Sequence, residues 1–147
     1  TPLLQDRELF AKVIDALAER YVAKRIDNVV AIESRGFIFG AALAYRLGAA
    51  FVPVRKKGKL PYQTVNTSYE LEYGTAEIEI HTDGVQKGSR AVVIDDLLAT
   101  GGTAKAACEL VEKVGGQVVE CAFIVELSFL KGRAKLANRE IFSLVEY

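Results

Sequence analysis

The sequence predicts a single-domain α/β fold (residues 1–147), built on a mostly parallel, twisted sheet flanked by helices. Three observations carry that expectation. Residues 28–55 and 90–127 each read as strand, helix, strand, and such units run their strands parallel with a right-handed crossover. At 147 residues the chain suits one domain and is long enough to bury a core without covalent staples. Its composition, 50% hydrophobic and 26% charged, is that of a folded globular protein.

Residues 6–24 read as an amphipathic helix, because Leu9, Phe10, Val13, Ile14, Leu17 and Tyr21 recur at helical spacing and Asp6 suits its start. NVVAI, 28–32, is a short apolar strand. A polar tetrapeptide, Glu33-Ser34-Arg35-Gly36, leads into the helix FIFGAALAYRL, which stops at Gly48. AAFVPVR, 49–55, is a second strand. The basic stretch RKKGKLPYQTV follows, broken by Gly58 and Pro61. SYELEYGTAEIEI, 68–80, alternates polar and apolar residues and reads as a two-stranded excursion turning near Gly74. DGVQKGS, 83–89, is a turn, and RAVVID is the next strand. Residues 102–114 place Ala106, Ala107, Leu110, Val111 and Val114 on one helical face before Gly115-Gly116 ends it. QVVECAFIVEL, 117–127, is the last long strand. LKGRAKL forms a helical turn or two, and IFSLVEY closes the chain as an edge strand.

Several function classes lose support at once. Nineteen basic residues balance nineteen acidic ones, so the chain lacks the basic field of a general nucleic-acid binder. No apolar run approaches the ~20 residues a membrane helix needs, and no signal peptide is evident, which favours a cytoplasmic location. Cys108 and Cys121 are the two cysteines, without metal-like spacing, and read as core residues in a reducing compartment. His81, the single histidine, lies beyond the excursion and is assigned no catalytic role; no protein metal site is expected. No methionine occurs, even at position 1, so the chain is expected to follow a removed initiator or to start inside a longer parent.

The chemistry concentrates in AVVIDDLLATGGT, 91–103. A β-branched apolar run delivers adjacent carboxylates, Asp95 and Asp96, and a small-residue loop, Ala99-Thr100-Gly101-Gly102-Thr103, opens the next helix. Carboxylates can hold sugar hydroxyls. A glycine-rich helix start offers backbone N–H groups and the positive helix end to a phosphate. The pattern is neither a Walker loop nor a dinucleotide fingerprint. It points to a ribose 5-phosphate ligand. Ser34 could simply cap a helix, and Arg55, Lys56, Lys57 and Lys59 could be a solvated loop. Yet all these segments would fall at the carboxyl edge of the sheet, where α/β folds bind ligands.

These residues resemble a known family. DDLLATGGT behind an apolar strand is the signature of the type I phosphoribosyltransferases, and ESRGFIFG, RKKGKLP, SYELEYG and ELSFLKGR resemble the adenine-using members in the same order. The resemblance spans Thr1 to Tyr147. It implies that Asp95 and Asp96 hold the ribose 2′- and 3′-hydroxyls of 5-phospho-α-D-ribose 1-diphosphate (PRPP), and that residues 99–103 wrap its 5′-phosphate. Ser34 and Arg35 would serve the diphosphate, with a cis peptide at Glu33–Ser34. Arg55, Lys56 and Lys59 would neutralise the leaving diphosphate, Arg55 or Lys59 reaching a neighbouring subunit. A β-hairpin lid over about 59–83 would exclude water, with Glu72 as the acid/base group at the purine and Tyr73 shielding the reacting centre. Leu127 would touch the base.

The implied reaction joins PRPP and adenine to give AMP and pyrophosphate, with Mg²⁺ carried by PRPP, in a homodimer. Relatives also carry a segment ahead of the point where this chain begins, which forms a hood over adenine. The phosphate half of the site is therefore expected to be complete and the base half partial. Alternatives are a PRPP- or AMP-binding regulatory or truncated domain without catalysis, and transfer to another purine base.

Overall fold

A computed structural model describes residues 2–71 and 73–147. The elements run α1 (Pro2–Gln5), α2 (Arg7–Tyr21), β1 (Asn28–Ile32), α3 (Arg35–Leu47), β2 (Ala50–Lys56), β3 (Thr64–Glu70), β4 (Thr75–His81), β5 (Arg90–Leu98), α4 (Gly102–Lys113), β6 (Gln117–Glu126) and β7 (Ile141–Glu146). Two short 3₁₀ turns, Ser128–Leu130 and Gly132–Leu136, separate the last two strands. The Asp6 carboxylate caps α2 by accepting from the N–H groups of Glu8 and Leu9 at 3.1 and 3.0 Å. Gly48 ends α3 in the left-handed region, at φ 65°.

The seven strands form one sheet in the order β3-β4-β2-β1-β5-β6-β7. β2, β1, β5, β6 and β7 are mutually parallel, and β3 and β4 form an antiparallel hairpin joined to the end of β2. Side-chain alternation divides the core. Val30, Ile32, Val93, Cys121 and Phe123 face α4, together with its Ala107, Cys108, Leu110 and Val111. Val29, Ala31, Val92, Ile94, Ala122 and Ile124 face Ile14, Leu17 and Tyr21 of α2 and Phe39 and Leu43 of α3. All five residues of β1 are buried, as expected for a central strand covered on both faces. Gly40 lets α3 lie close to β1: a Cβ there would stand 2.6 Å from that of Ala31.

Leu9 departs from the expected apolar face and is 46% exposed, in the first turn of α2. The hairpin also begins earlier than its alternation suggests. Thr64 through Glu70 all pair with β4, and Val65 and Tyr69 anchor the polar run between them on the α4 side of the core. Cys108 and Cys121 are buried free thiols with their sulfurs 3.3 Å apart. His81 Nε2 lies 3.0 Å from the Pro61 carbonyl oxygen.

One topological feature positions the site. From β1 the chain crosses through α3 to β2, and from β5 through α4 to β6 on the other side. The connections diverge between β1 and β5, leaving a crevice beyond the carboxyl ends of those two strands. β1 pairs with β5 only as far as Ala31 opposite Ile94, whereas β5 continues beside β6 to Leu98. Asp95 and Asp96 thus lie inside a strand whose one edge has just been freed.

Candidate active site

The crevice is lined by Ile32, Glu33, Ser34, Arg35, Lys56, Tyr69, Asp95, Asp96, Leu97 and Thr103. A smaller, contiguous hollow is lined by Asp95 and Leu97 through Ala104, apart from Asp96, and so includes Ala99, Thr100, Gly101, Gly102 and Thr103. Segments from four parts of the chain therefore meet at one sheet edge. Gly101 stands before α4 at φ 89°, a conformation suited to glycine, and the turn it makes leads the chain into the helix N-terminus. Gly36 lets the start of α3 approach the carboxylates: a Cβ there would lie 3.0 Å from Asp95 Oδ1.

Charge inside the crevice is internally paired. Arg35 Nε donates to Asp96 Oδ2, and the Asp96 N–H donates to Asp95 Oδ1 at 2.8 Å. Burial pushes the Asp95 carboxyl up to about 8, and the adjoining Asp96 carboxyl adds to the rise. Glu33 follows the opposite course. Burial works to raise it, but the Lys56 N–H at 2.5 Å, the Lys59 ammonium at 3.2 Å and the nearby Arg55 guanidinium outweigh that effect and hold it below the ordinary carboxylate range. The Glu33–Ser34 peptide is cis.

The structure sorts the basic cluster. Lys56 lines the crevice. Lys59 and Arg55 gather on Glu33, while Lys57 pairs with Glu77 of the hairpin at 3.0 Å. Tyr73 sits at the hairpin tip and is 89% exposed. Leu127 is half-buried just past β6, its N–H donating to the Leu98 carbonyl at 3.0 Å. Glu72 lies outside the described residues.

Three features escaped the sequence reading. Glu33 is the hub that holds the basic loop against the end of β1. Tyr69 lines the crevice and packs over the start of α4, where a Cβ on Gly102 would be 3.4 Å from its ring. An apolar pocket next to Arg35 and Asp96 is lined by Leu3, Leu4, Phe39, Leu97, Ile124 and Val125. Tyr69 was legible as an inward position of an alternating strand. The pocket was not, because its walls come from four elements, α1, α3, β5 and β6.

A parallel sheet with paired carboxylates and a glycine-opened helix at its switch point defines a phosphoribosyltransferase. In agreement, residues 3–142 match the phosphoribosyl transferase domain family. The chain is 58% identical over its full length to the adenine phosphoribosyltransferase of Acidobacterium capsulatum, covering 81% of that protein. The crystal structure of adenine phosphoribosyltransferase from Rhodothermus marinus superposes with a TM-score of 0.96 at 52% identity, covering 100% of this chain and 84% of that one. The Saccharomyces cerevisiae enzyme, complexed with D-2,5-dideoxy-2,5-imino-altritol 1,6-bisphosphate and adenine, gives 0.92 at 46% identity, with coverages of 97% and 83%. The chain belongs to the adenine phosphoribosyltransferase family.

Proposed function

We propose that this chain transfers phosphoribose from PRPP to N9 of adenine, giving AMP and pyrophosphate in purine salvage. The observation that carries the reading is the meeting of Arg35, Lys56, Asp95, Asp96 and the 99–103 loop around one crevice. Asp95 and Asp96 accept from the ribose hydroxyls. Residues 99–103 hold the 5′-phosphate through N–H groups, threonine hydroxyls and the positive end of α4. Ser34, Arg35 and Lys56 hold the diphosphate, and Glu33 keeps Arg55 and Lys59 in reserve beside it. The apolar pocket beside Arg35 and Asp96 suits a flat purine, with Leu127 at the end of the same strand.

The displacement at the anomeric carbon passes through an oxocarbenium-like state. The chain lowers its barrier by fixing both reactants and by placing cations where the leaving diphosphate gathers charge. The 59–83 segment acts as the lid, carrying Tyr73 at its tip, Glu72 is the acid/base group at the purine, and closure keeps water from the activated sugar. Among the described residues no three His, Cys, Asp or Glu side chains cluster as a metal cage. The oxygen donors of Asp95 and Asp96 do fit a hard ion reached through water, and Mg²⁺ arriving on PRPP supplies charge neutralisation of the diphosphate.

Exposed Ile38 and Tyr45, two turns apart on α3, support a homodimer through that face. Two buried cysteines without a disulfide between them support a cytoplasmic setting. No helix is long and apolar enough to cross a membrane.

The test is pyrophosphate release from PRPP and Mg²⁺ with adenine, guanine or hypoxanthine. Release with adenine alone is expected. Measurable PRPP binding without release for any base would overturn the transferase reading in favour of a PRPP-binding regulatory domain.

A further inference from the structure

The turn after β6 meets the 99–103 loop backbone against backbone. A Cβ built on Gly132 would lie 2.5 Å from the Ala99 carbonyl oxygen and 2.9 Å from Leu98 Cδ1. A Cβ built on Gly101 would lie 2.4 Å from the Gly132 carbonyl oxygen. No side chain fits between the two segments. Gly101 also needs to be glycine for its φ of 89°, but Gly132 does not adopt a positive φ. Only the closeness of the loop excludes a side chain at position 132.

What holds Gly132 there is a buried charge. Glu126, 3% exposed, accepts from Arg133 Nε at 2.8 Å and Nη2 at 2.8 Å, and from Ser143 Oγ at 2.7 Å. Arg133 also reaches Glu146 at 3.3 Å. A two-pronged, charge-assisted pair fixes both distance and direction, which a surface turn by itself does not require. The loop it braces consists of small residues with little side-chain packing of their own, so a neighbour must set its path.

We propose that Gly132, anchored by the Arg133–Glu126 pair, is a positioning residue for the 5′-phosphate loop. It does not touch phosphate. It sets the course of Ala99–Gly101, whose N–H groups must converge on a fixed anion. The inference rests on reading that loop as the 5′-phosphate cradle.

The experiment measures ribose 5-phosphate binding by calorimetry, KM for PRPP and for adenine, and thermal unfolding. The Gly132→Ala protein should bind ribose 5-phosphate roughly tenfold more weakly, the scale of one lost hydrogen bond to a charged group. KM for PRPP should rise in parallel while KM for adenine stays near wild type. Arg133→Met should shift the same two constants in the same direction, and Arg133→Lys should recover part of the loss. It carries the test if Gly132→Ala does not fold. A folded Gly132→Ala or Arg133→Met protein with wild-type ribose 5-phosphate affinity would overturn the proposal, as would an equal loss for adenine. Wild-type protein that binds ribose 5-phosphate yet releases no pyrophosphate would refute transfer alone. Wild-type protein that binds none would refute both.

Discussion

Asp95→Asn should make the protein more stable while disabling it, and the gain should depend on pH. Burial and the adjacent Asp96 favour the protonated form of Asp95, whose value rises to about 8 in the fold. An unfolded aspartate titrates near ~3.9. Between these values the unfolded chain has lost a proton that the native chain retains, so wild-type stability falls as pH rises through that window. Below it the contribution is fully present; above about 8 the loss is complete. At about 1.36 kcal/mol per unit, the ceiling is ~6 kcal/mol. Because Asp95 opens to the crevice, the expected net gain for Asp95→Asn is about 2 kcal/mol at pH 8 and near zero at pH 4. Asparagine keeps the Oδ1 that accepts from the Asp96 N–H at 2.8 Å, so local structure should persist. Urea unfolding of both proteins at pH 4, 6 and 8 provides the measurement. A gain that does not change with pH, or a loss at pH 8, would refute the reasoning. On the proposed reading turnover should also drop, because the amide puts an NH2 donor where one carboxyl oxygen would meet the ribose hydroxyls.

Other perturbations separate stability from the site. Glu120 is 3% exposed and accepts from Arg20 at 2.5 and 2.9 Å, Tyr21 at 2.7 Å and Lys24 at 3.3 Å. Glu120→Ala should cost roughly 3–5 kcal/mol in chemical denaturation, while KM values of the surviving folded enzyme stay unchanged. Burial opposes ionisation of Glu120, but its partners hold it below the ordinary range. Its contribution is therefore present above the unfolded carboxylate value near ~4.3 and is lost as pH falls below it. Gly40→Ala should lower stability by about 1–3 kcal/mol, read from thermal unfolding, because its Cβ would meet that of Ala31 at 2.6 Å. Glu33→Gln should loosen Arg55 and Lys59 and raise KM for PRPP severalfold, with a smaller change in melting temperature; unchanged KM would remove Glu33 from the site.

The fold was legible because its periodicities are clean. NVVAI and RAVVID are too short and too β-branched for buried helices, and Gly48 and Gly115 mark helix ends where the structure places them. The 95–103 segment was legible for a related reason: its residues are contiguous, so it displays the carboxylates, the glycines and the helix start together. What stayed hidden depends on pairing across the sheet. Position 33 gives no sign that Glu33 will face Arg55, Lys56 and Lys59, since the β1–β2 register brings them together. Polar residues hid the first half of β3, which is held by β4 and by Tyr69 over α4 rather than by its own propensity.

The crevice is not a set of free charges awaiting a ligand. Arg35 is committed to Asp96, and Glu33 has drawn Lys59 and Arg55 to its own side. On the proposed reading, a diphosphate that draws Arg35 away releases Asp96 Oδ2, which then becomes free to accept from ribose hydroxyls. The ends of PRPP thus assist each other: each takes one member of a pair whose partner the other end requires. Pyrophosphate alone would leave the Asp96 carboxylate without Arg35, and ribose 5-phosphate alone would leave Arg35 without an anion. Internal pairing of this kind lowers affinity for either fragment relative to the joined substrate, which is the discrimination a transferase needs if it is to release its products.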